Sequence, residues 1–288
     1  MTVTINLIEA LRCLSADGEG RGKAICRRQK LTDHPESGEG KDFMSNRRRK
    51  TMTKKTIINR NEINELKKNP STRVPIVLCL DTSGSMAERN RNGVRKIDEL
   101  MNGIMMFYES VKANDLAAYA ADVSIVTFAD RAEIQQRFAN VSGLTGVPAL
   151  KPQGVTAMGE GVNLALDLIE DRREAYKSTG ISYYQPWLVF MTDGYPYKGS
   201  QAELERAFMR CSSLVNKGRL TVIPVGIGER ADMATVSKFS PRVPAQKLND
   251  MKFADFFVWL SNSIVKVSQE QPGDCVQPDL TIKTWNTL

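Results

Sequence analysis

The sequence is poor in the residues that hold transition metals and disulfide frameworks. It has a single histidine, His34, and five cysteines, an odd number that includes no Cys-x-x-Cys pair. Such cysteine usage argues against both a disulfide framework and a zinc site. Because histidine is the commonest general base and the commonest transition-metal ligand, its scarcity leaves hard cations with oxygen ligands as the metals to expect here.

Long hydrophobic runs are also missing. The longest, at residues 74–80, is interrupted by Pro75 and has the length of a strand, whereas a membrane-spanning helix needs about 20 apolar residues. The opening stretch, MTVTINLIEALRCL, lacks the basic start and the small-residue cleavage site of a secretory signal. We therefore expect no membrane-spanning helix, and a cytoplasmic location as the default.

The net charge of +7 is concentrated at the beginning of the chain, where basic residues are in excess. Residues 1–55 hold 13 Lys and Arg against 7 Asp and Glu, a net of +6, and the remaining 27 basic and 26 acidic residues nearly cancel. Glycines scattered among these charges, without a sustained hydrophobic period, predict a disordered basic tail. The basic run at residues 47–50 is a candidate contact for nucleic acid, but the tail has only Phe43 for base stacking. Nucleic-acid binding is therefore not the function that we expect.

The rest of the chain has the composition of a globular protein, with 41% hydrophobic and 25% charged residues over the whole length of 288. From residue 73 onward, short β-rich runs alternate with helical patterns, which indicates a parallel sheet covered by helices. We predict an α/β fold with a doubly wound, Rossmann-like and mostly parallel six-stranded sheet and helices on both faces. The predicted strands cover residues 74–80, 123–128, 134–141, 187–191, 220–225 and 245–248. The predicted helices cover residues 96–111, a segment after Thr156, and residues 201–215, 234–239 and 253–267.

Two of the predicted strands end in an aspartate that is followed at once by small residues. The sequence IVLCLD ends at Asp81 and leads into TSGSM, and LVFMTD ends at Asp193 and leads into GYP. In open α/β sheets, ligands bind at the carboxyl ends of the strands, near the point where strand order reverses. Because a carboxylate at the end of a buried strand is costly without a partner, the two aspartates suggest a shared cation.

The loop after the first strand supplies more oxygen atoms. Asp81, Ser83 and Ser85 place one carboxylate and two hydroxyls at alternate positions, and Gly84 is expected to let the backbone turn so that both hydroxyls face one point. This all-oxygen half-site suits Mg²⁺ or Mn²⁺ and not zinc or copper. Since Mg²⁺ prefers six oxygens, five or fewer protein groups would leave a coordination position free.

This Asp-x-Ser-x-Ser loop resembles the metal-ion-dependent adhesion site (MIDAS) of von Willebrand factor A (VWA) domains. In that family a threonine from a second loop and an aspartate from a third complete the site, and the matching positions are Thr156 in GVTAMGEG and Asp193 in MTDGYP. The resemblance covers roughly residues 73–270 and implies a Mg²⁺ or Mn²⁺ site with the ligand residues Asp81, Ser83, Ser85, Thr156 and Asp193. The predicted order is the tail at 1–55, a lead-in segment at 56–72, the VWA domain at 73–270 and a C-terminal extension at 271–288.

Two further stretches point to a subgroup. The GEG after Thr156 and the ending FFVWLSNSIVKVSQEQPGD are most similar to bacterial TerY-like proteins, which are associated with tellurite and stress resistance. Relatives of that group are linked with protein kinase and phosphatase partners. The resemblance implies a non-catalytic module in a bacterial stress-response or defence assembly, which captures an Asp or Glu of a partner protein at the free position of the metal.

Taken one at a time, these residues also have simpler explanations. The hydroxyls of Ser83, Ser85 and Thr156 are of a type favoured at helix caps. Glu160 is either an acidic group near the site or a favourable charge on the first turn of a helix, which is the reading that we favour. Tyr195 and Tyr197 either form a partner-binding rim beside the metal or pack at the end of a strand.

An enzyme is the alternative hypothesis. The loop also resembles the aspartyl-phosphate loop of haloacid-dehalogenase-type phosphotransferases, with Asp81 as the nucleophile. Most of that group carry a second aspartate two positions on, where this chain has Ser83, and the later GDGxxxD motif is missing. A metal-assisted hydrolase would need a base, for which Glu160 is the only candidate near the motifs. We therefore predict a protein without catalytic activity.

Overall fold

The structure is a computed structural model that describes residues 60–90, 92–197, 201–249 and 252–270. These residues all belong to one compact unit, residues 54–288. The predicted tail, the first residues of the lead-in segment and the C-terminal extension lie outside the described residues. Among the described residues, no helix combines the length and the hydrophobicity that crossing a bilayer requires.

A single six-stranded sheet forms the centre of this unit. Its strands have the order β3-β2-β1-β4-β5-β6, and only β3 runs antiparallel to its neighbour. Strand order therefore reverses between the adjacent strands β1 and β4, which confirms the predicted doubly wound sheet. The strands are β1 (Val74–Asp81), β2 (Ala121–Phe128), β3 (Ala132–Asn140), β4 (Trp187–Thr192), β5 (Thr221–Ile227) and β6 (Gln246–Leu248).

Helices connect the strands on both faces of the sheet. They are α1 (Arg60–Lys68), α2 (Lys96–Lys112), α3 (Asp115–Ala120), α4 (Met158–Thr179), α5 (Gln201–Asn216), α6 (Met233–Ser237) and α7 (Phe253–Gln269). Helices α1 and α3 were not predicted from the sequence. Helix α1 is mostly polar, with Leu66 as its fully buried hydrophobic residue, and α3 is only six residues long. Neither provides a long hydrophobic period.

The core lies in two layers because the central strands are buried on both faces. Along β1, Ile76 and Leu78 pack in the layer that contains α2 and α7, whereas Val77 and Cys79 pack in the layer that contains α4 and α5. All eight residues of β1 are buried. This agrees with the continuous apolar run in the sequence, which is typical of a central parallel strand. Burial also raises the pKa of the Cys79 thiol, as expected for an unreactive core cysteine.

A buried ion cluster joins the helices to the sheet at the amino ends of β1 and β2. The carboxylate of Asp122 accepts hydrogen bonds from Arg73 at 3.0 Å, from Arg172 at 2.7 Å and from the Tyr176 hydroxyl at 2.6 Å. The Asp122, Arg73 and Arg172 side chains are fully or almost fully buried. Glu65 of α1 pairs with Arg172 from the edge of the cluster. The cluster thus connects α1 and α4 to the strands.

Candidate metal centre

The site forms where β1 and β4 end side by side. Asp81 is the last residue of β1, and both oxygens of its fully buried carboxylate are engaged. The backbone N–H of Ser83 donates to Asp81 Oδ1 at 2.7 Å, and the hydroxyl of Thr192 donates to Oδ2 at 2.6 Å. These two bonds fix the orientation of the carboxylate. Thr192 was not identified from the sequence, although it directly precedes Asp193.

The two serines connect the first loop to the second aspartate. The hydroxyl of Ser85 donates to Asp193 Oδ1 at 2.6 Å, and Ser83 Oγ lies 3.0 Å from Ser85 Oγ, within hydrogen-bond distance. Asp193 is almost fully buried, as is Ser83. Four of the five predicted site residues therefore lie together, because the pairing of β1 with β4 brings the two loops to one edge of the sheet.

The loop that carries Thr156 is attached to both other loops through its backbone. The N–H of Gly84 donates to the carbonyl of Gly154 at 3.1 Å, and the N–H of Tyr197 donates to the carbonyl of Thr156 at 2.9 Å. A Cβ atom added to Gly194 would lie 3.6 Å from Thr156 Oγ1. The Thr156 hydroxyl is thus placed next to the residue that follows Asp193.

The role of Gly84 differs from the one predicted. Gly84 does not have a positive φ, and an added Cβ would lie 3.5 Å from the carbonyl oxygen of Gly154, an ordinary van der Waals contact. The positive φ at this site belongs to Gly154, at 70°. Gly84 contributes its backbone N–H to the contact between the two loops, and a methyl group at this position would make only an ordinary contact.

Asp130 fixes the Thr156 loop, and it too was not identified from the sequence. Its Oδ1 accepts from the N–H of Val155 at 3.0 Å. A Cβ on Gly154 would lie 2.3 Å from the same oxygen, so that this glycine is required both by its φ and by the close approach of the carboxylate.

We expect the Gly154→Ala substitution to weaken metal binding about tenfold and to lower the free energy of unfolding by about 1–3 kcal/mol. The methyl group must displace Asp130 and, with it, the loop that carries Thr156. Gly180→Ala is the matched control, since Gly180 also has a positive φ, of 71°, but has open space around its Cβ position. Calorimetric titration with Mg²⁺ and urea unfolding of both variants are the measurements. Equal metal affinity in the two variants would contradict the prediction.

Helix capping does not account for the hydroxyls. Ser83 precedes a 3₁₀ turn (Gly84–Ala87), but its side chain makes no capping hydrogen bond. The N-cap residue of α4 is Ala157 and not Thr156. The Ser85 hydroxyl is directed to Asp193 instead of a helix end.

The electrostatics of the centre combine two buried carboxylates with one lysine. Burial raises the pKa of Asp81 from 3.8 to about 6, although the hydrogen bonds from Ser83 and Thr192 act in the opposite direction. Asp193 Oδ2 accepts from Lys96 Nζ at 2.6 Å. Lys96 was not identified from the sequence. The signal that could have indicated it is a basic residue at the first position of a helix, where positive charge is unfavourable.

Residues 76–195 match the family model of the von Willebrand factor type A domain. Over these residues, which are less than half of the chain, the sequence is similar to VWA domains. Among curated proteins, none matches the chain.

Solved structures with a similar fold include three proteins of low sequence identity. The pilus adhesin SpaC from Lactobacillus rhamnosus GG is 14% identical, with a TM-score of 0.52, and the match covers 69% of this chain and 31% of that chain. A von Willebrand factor type A protein from Catenulispora acidiphila is 18% identical, with a TM-score of 0.47 and coverages of 67% and 43%. Proximal thread matrix protein 1 from the mussel byssus, with a zinc-occupied MIDAS motif, is 14% identical, with a TM-score of 0.43 and coverages of 68% and 48%. These likenesses concern the fold alone, and this chain spans less than half of each solved chain.

The donor set of the centre fits a hard divalent cation. It consists of two carboxylates and three hydroxyls, from Asp81, Asp193, Ser83, Ser85 and Thr156. In the part of the chain that the structure describes, no cluster of three or more His, Cys, Asp or Glu residues offers an alternative site. Burial raises the pKa of Asp81 despite its two hydrogen bonds, so that a neighbouring positive charge would stabilise the ionised carboxylate. A cation with oxygen ligands would supply that charge.

The predicted partner-binding rim beside the centre is accessible in part. The side chains of Tyr195 and Tyr197 are 69% and 52% exposed, and Tyr197 adjoins the Thr156 loop through its backbone. Glu160 lies in the first turn of α4 and is half-buried. Within the described residues, no hydrogen bond or ion pair joins it to the five predicted ligand residues. Its position fits the favourable charge on a helix start that we preferred, and the rim itself stays a prediction.

Proposed function

We propose that this VWA domain is a non-catalytic, divalent-metal-dependent protein-binding module. The observation that carries the proposal is the convergence of two buried carboxylates and hydroxyl groups at the switch point of the sheet, where Ser83, Ser85 and Asp193 form one hydrogen-bonded chain beside Asp81. Side chains from loops far apart in sequence share this point, and helix capping does not explain them.

The five oxygen residues would hold Mg²⁺ or Mn²⁺ and leave coordination room for a group from outside. Asp81 and Asp193 together carry two negative charges, which a divalent cation balances. When bound, the ion supplies a positive centre that accepts an oxygen ligand from a second protein. An Asp or Glu carboxylate is the group that suits such a position.

The partner is proposed to be another protein that presents this carboxylate. Tyr195 and Tyr197 are exposed near the centre, and tyrosine is enriched at the energetically dominant positions of interfaces. From the TerY-like resemblance of the sequence we propose a bacterial tellurite or stress-response assembly in the cytoplasm, with a protein kinase or phosphatase as the partner class.

The test combines metal titration with capture of the partner. We expect the full chain to bind Mg²⁺, and the Asp81→Asn variant to lose at least about 100-fold in affinity, because it lacks one of two charged ligands. A partner retained from native lysate in Mg²⁺ should be released by chelator and should not be retained by the variant. Asp115→Ala, a change at an exposed aspartate in the first turn of α3, is the control that should behave as wild type.

The same experiment can overturn the proposal. If the partners bind equally with Mg²⁺, with chelator and to the Asp81 variant, recognition does not use this centre. Circular dichroism of each variant distinguishes a lost ligand from a lost fold.

The structure gives little support to the enzyme alternative. A nucleophilic Asp81 would have to expose one carboxylate oxygen to a phosphoryl group, but the residue is fully buried and both oxygens accept hydrogen bonds. Release of inorganic phosphate from p-nitrophenyl phosphate in Mg²⁺, abolished by Asp81→Asn, would restore this alternative.

A further inference from the structure

Lys96 places an ammonium group directly against the candidate metal centre. Its Nζ donates to Asp193 Oδ2 at 2.6 Å and to Glu88 Oε2 at 3.0 Å. The side chain is only 10% exposed, and lysine is almost never buried unless it is paired. With Ser85 on Oδ1 and Lys96 on Oδ2, both oxygens of Asp193 are engaged by side chains of this chain.

The position of Lys96 within its helix is unfavourable by itself. It is the first residue of α2, where the helix dipole disfavours positive charge. The acidic residues of the same turn have other partners, since Asp98 pairs with Arg95 and Glu99 accepts a hydrogen bond from Asn90. Helix stability therefore gives no reason for a lysine here, whereas the contact with Asp193 does.

Lys96 also changes the charge of the centre. Asp81 and Asp193 contribute −2 and Lys96 contributes +1, which leaves −1. The charge of Glu88 is balanced by Arg230, which donates to the same Oε2 atom as Lys96. A divalent cation would thus bring the centre to +1, whereas the same centre without Lys96 would be neutral.

We infer that Lys96 is an internal counter-ion for the carboxylates of the metal centre. It competes with the divalent ion for Asp193, and it leaves the metal-bound centre with excess positive charge. This inference rests on the proposed function and deepens it. Excess positive charge favours an anionic carboxylate of the partner over a neutral oxygen ligand. Lys96 therefore lowers metal affinity and raises selectivity for an acidic partner group.

The first test removes the charge and measures binding of Mg²⁺ alone by calorimetric titration of the full chain. Lys96→Gln keeps an amide donor for Asp193, and Lys96→Met removes the donor as well. We expect both variants to bind Mg²⁺ about tenfold more tightly than wild type, because the positive charge of Lys96 no longer repels the ion. Two variants are used so that a folding defect in one leaves the other informative.

Two controls separate the local charge from other effects. Lys96→Arg keeps the charge and should bind Mg²⁺ as wild type does. Lys112→Met removes a lysine from the last turn of the same helix, where it pairs with Glu109, and it should also leave Mg²⁺ affinity unchanged.

The second test uses acetate as the carboxylate probe. Mg²⁺ titrations in sodium acetate and in sodium chloride of equal ionic strength measure the coupling between metal and carboxylate. Acetate should raise the apparent Mg²⁺ affinity of wild type by a larger factor than that of Lys96→Gln. An equal effect in the two proteins would overturn the selectivity that we assign to Lys96.

Failure of the inference and failure of the proposed function give different results. If wild type binds Mg²⁺ and the two charge-removing variants bind it no more tightly, the inference is overturned and the metal-binding function stands. If wild type binds no divalent ion at all, the proposed function is overturned and the inference with it.

Discussion

Replacing Asp122 with alanine should lower the free energy of unfolding by about 3–5 kcal/mol, the largest loss of stability that we expect from a single charge. Asp122 is the carboxylate between the buried guanidinium groups of Arg73 and Arg172. Without it, these two cations face each other away from water. Glu65, with a side chain that is 35% exposed, pairs with them only from the edge of the cluster.

Urea unfolding with a matched surface variant tests this expectation. Asp98 forms an ion pair with Arg95 through two short hydrogen bonds at the surface. The Asp98→Ala substitution should therefore lower the free energy of unfolding by about 1 kcal/mol or less. The double variant Asp122→Ala, Arg172→Met removes one of the stranded cations and should recover part of the lost stability. Similar losses for Asp122→Ala and Asp98→Ala would show that the buried cluster contributes little.

The second large effect is expected from Gly159→Ala, a change that normally stabilises a helix. An added Cβ would lie 2.3 Å from the backbone nitrogen of Leu204 and 2.5 Å from the carbonyl carbon of Glu203. Both atoms are backbone, so the methyl group can be placed only if α4 and α5 move apart. We expect a loss of about 3 kcal/mol in the free energy of unfolding.

The control for this prediction is Gly143→Ala, where nothing lies within 4 Å of the added Cβ and φ is not positive. This variant should be as stable as wild type or slightly more so. Thermal unfolding of both proteins is the measurement. A Gly159→Ala variant with the wild-type melting temperature would mean that the two helices are not held as closely as the structure shows.

Gly159 also shows how one motif can be read in two ways. In the sequence, the GEG at residues 159–161 indicated a resemblance to a subgroup of VWA proteins. In the structure, each of its glycines has a packing reason, because Gly159 touches the backbone of α5 and an added Cβ on Gly161 would meet the ring of Phe128 at 2.6 Å. The motif therefore reflects the close packing of α4 against its neighbours.

The sequence by itself determined the fold class and the residue types of the site. Continuous apolar runs predicted β1 and β4 correctly because strands buried on both faces must be apolar throughout. Asp81 ends β1 and Asp193 directly follows β4. These aspartates identified the edge where ligands bind, since in a parallel sheet the carboxyl ends of strands lie on the same side. Helices α1 and α3 were missed because they are short and have few buried apolar residues to form a period.

Only the tertiary structure decided which charges meet. Lys96 and Asp193 are 97 residues apart, and Asp122 and Arg172 are 50 residues apart. No local pattern indicates such pairs, because they depend on strand order, on register and on the direction in which a helix leaves the sheet. The sequence thus supplied the oxygen atoms of the centre. The charge that surrounds those atoms was determined by the pairing of β1 with β4 and by the contact of Lys96, at the start of α2, with Asp193.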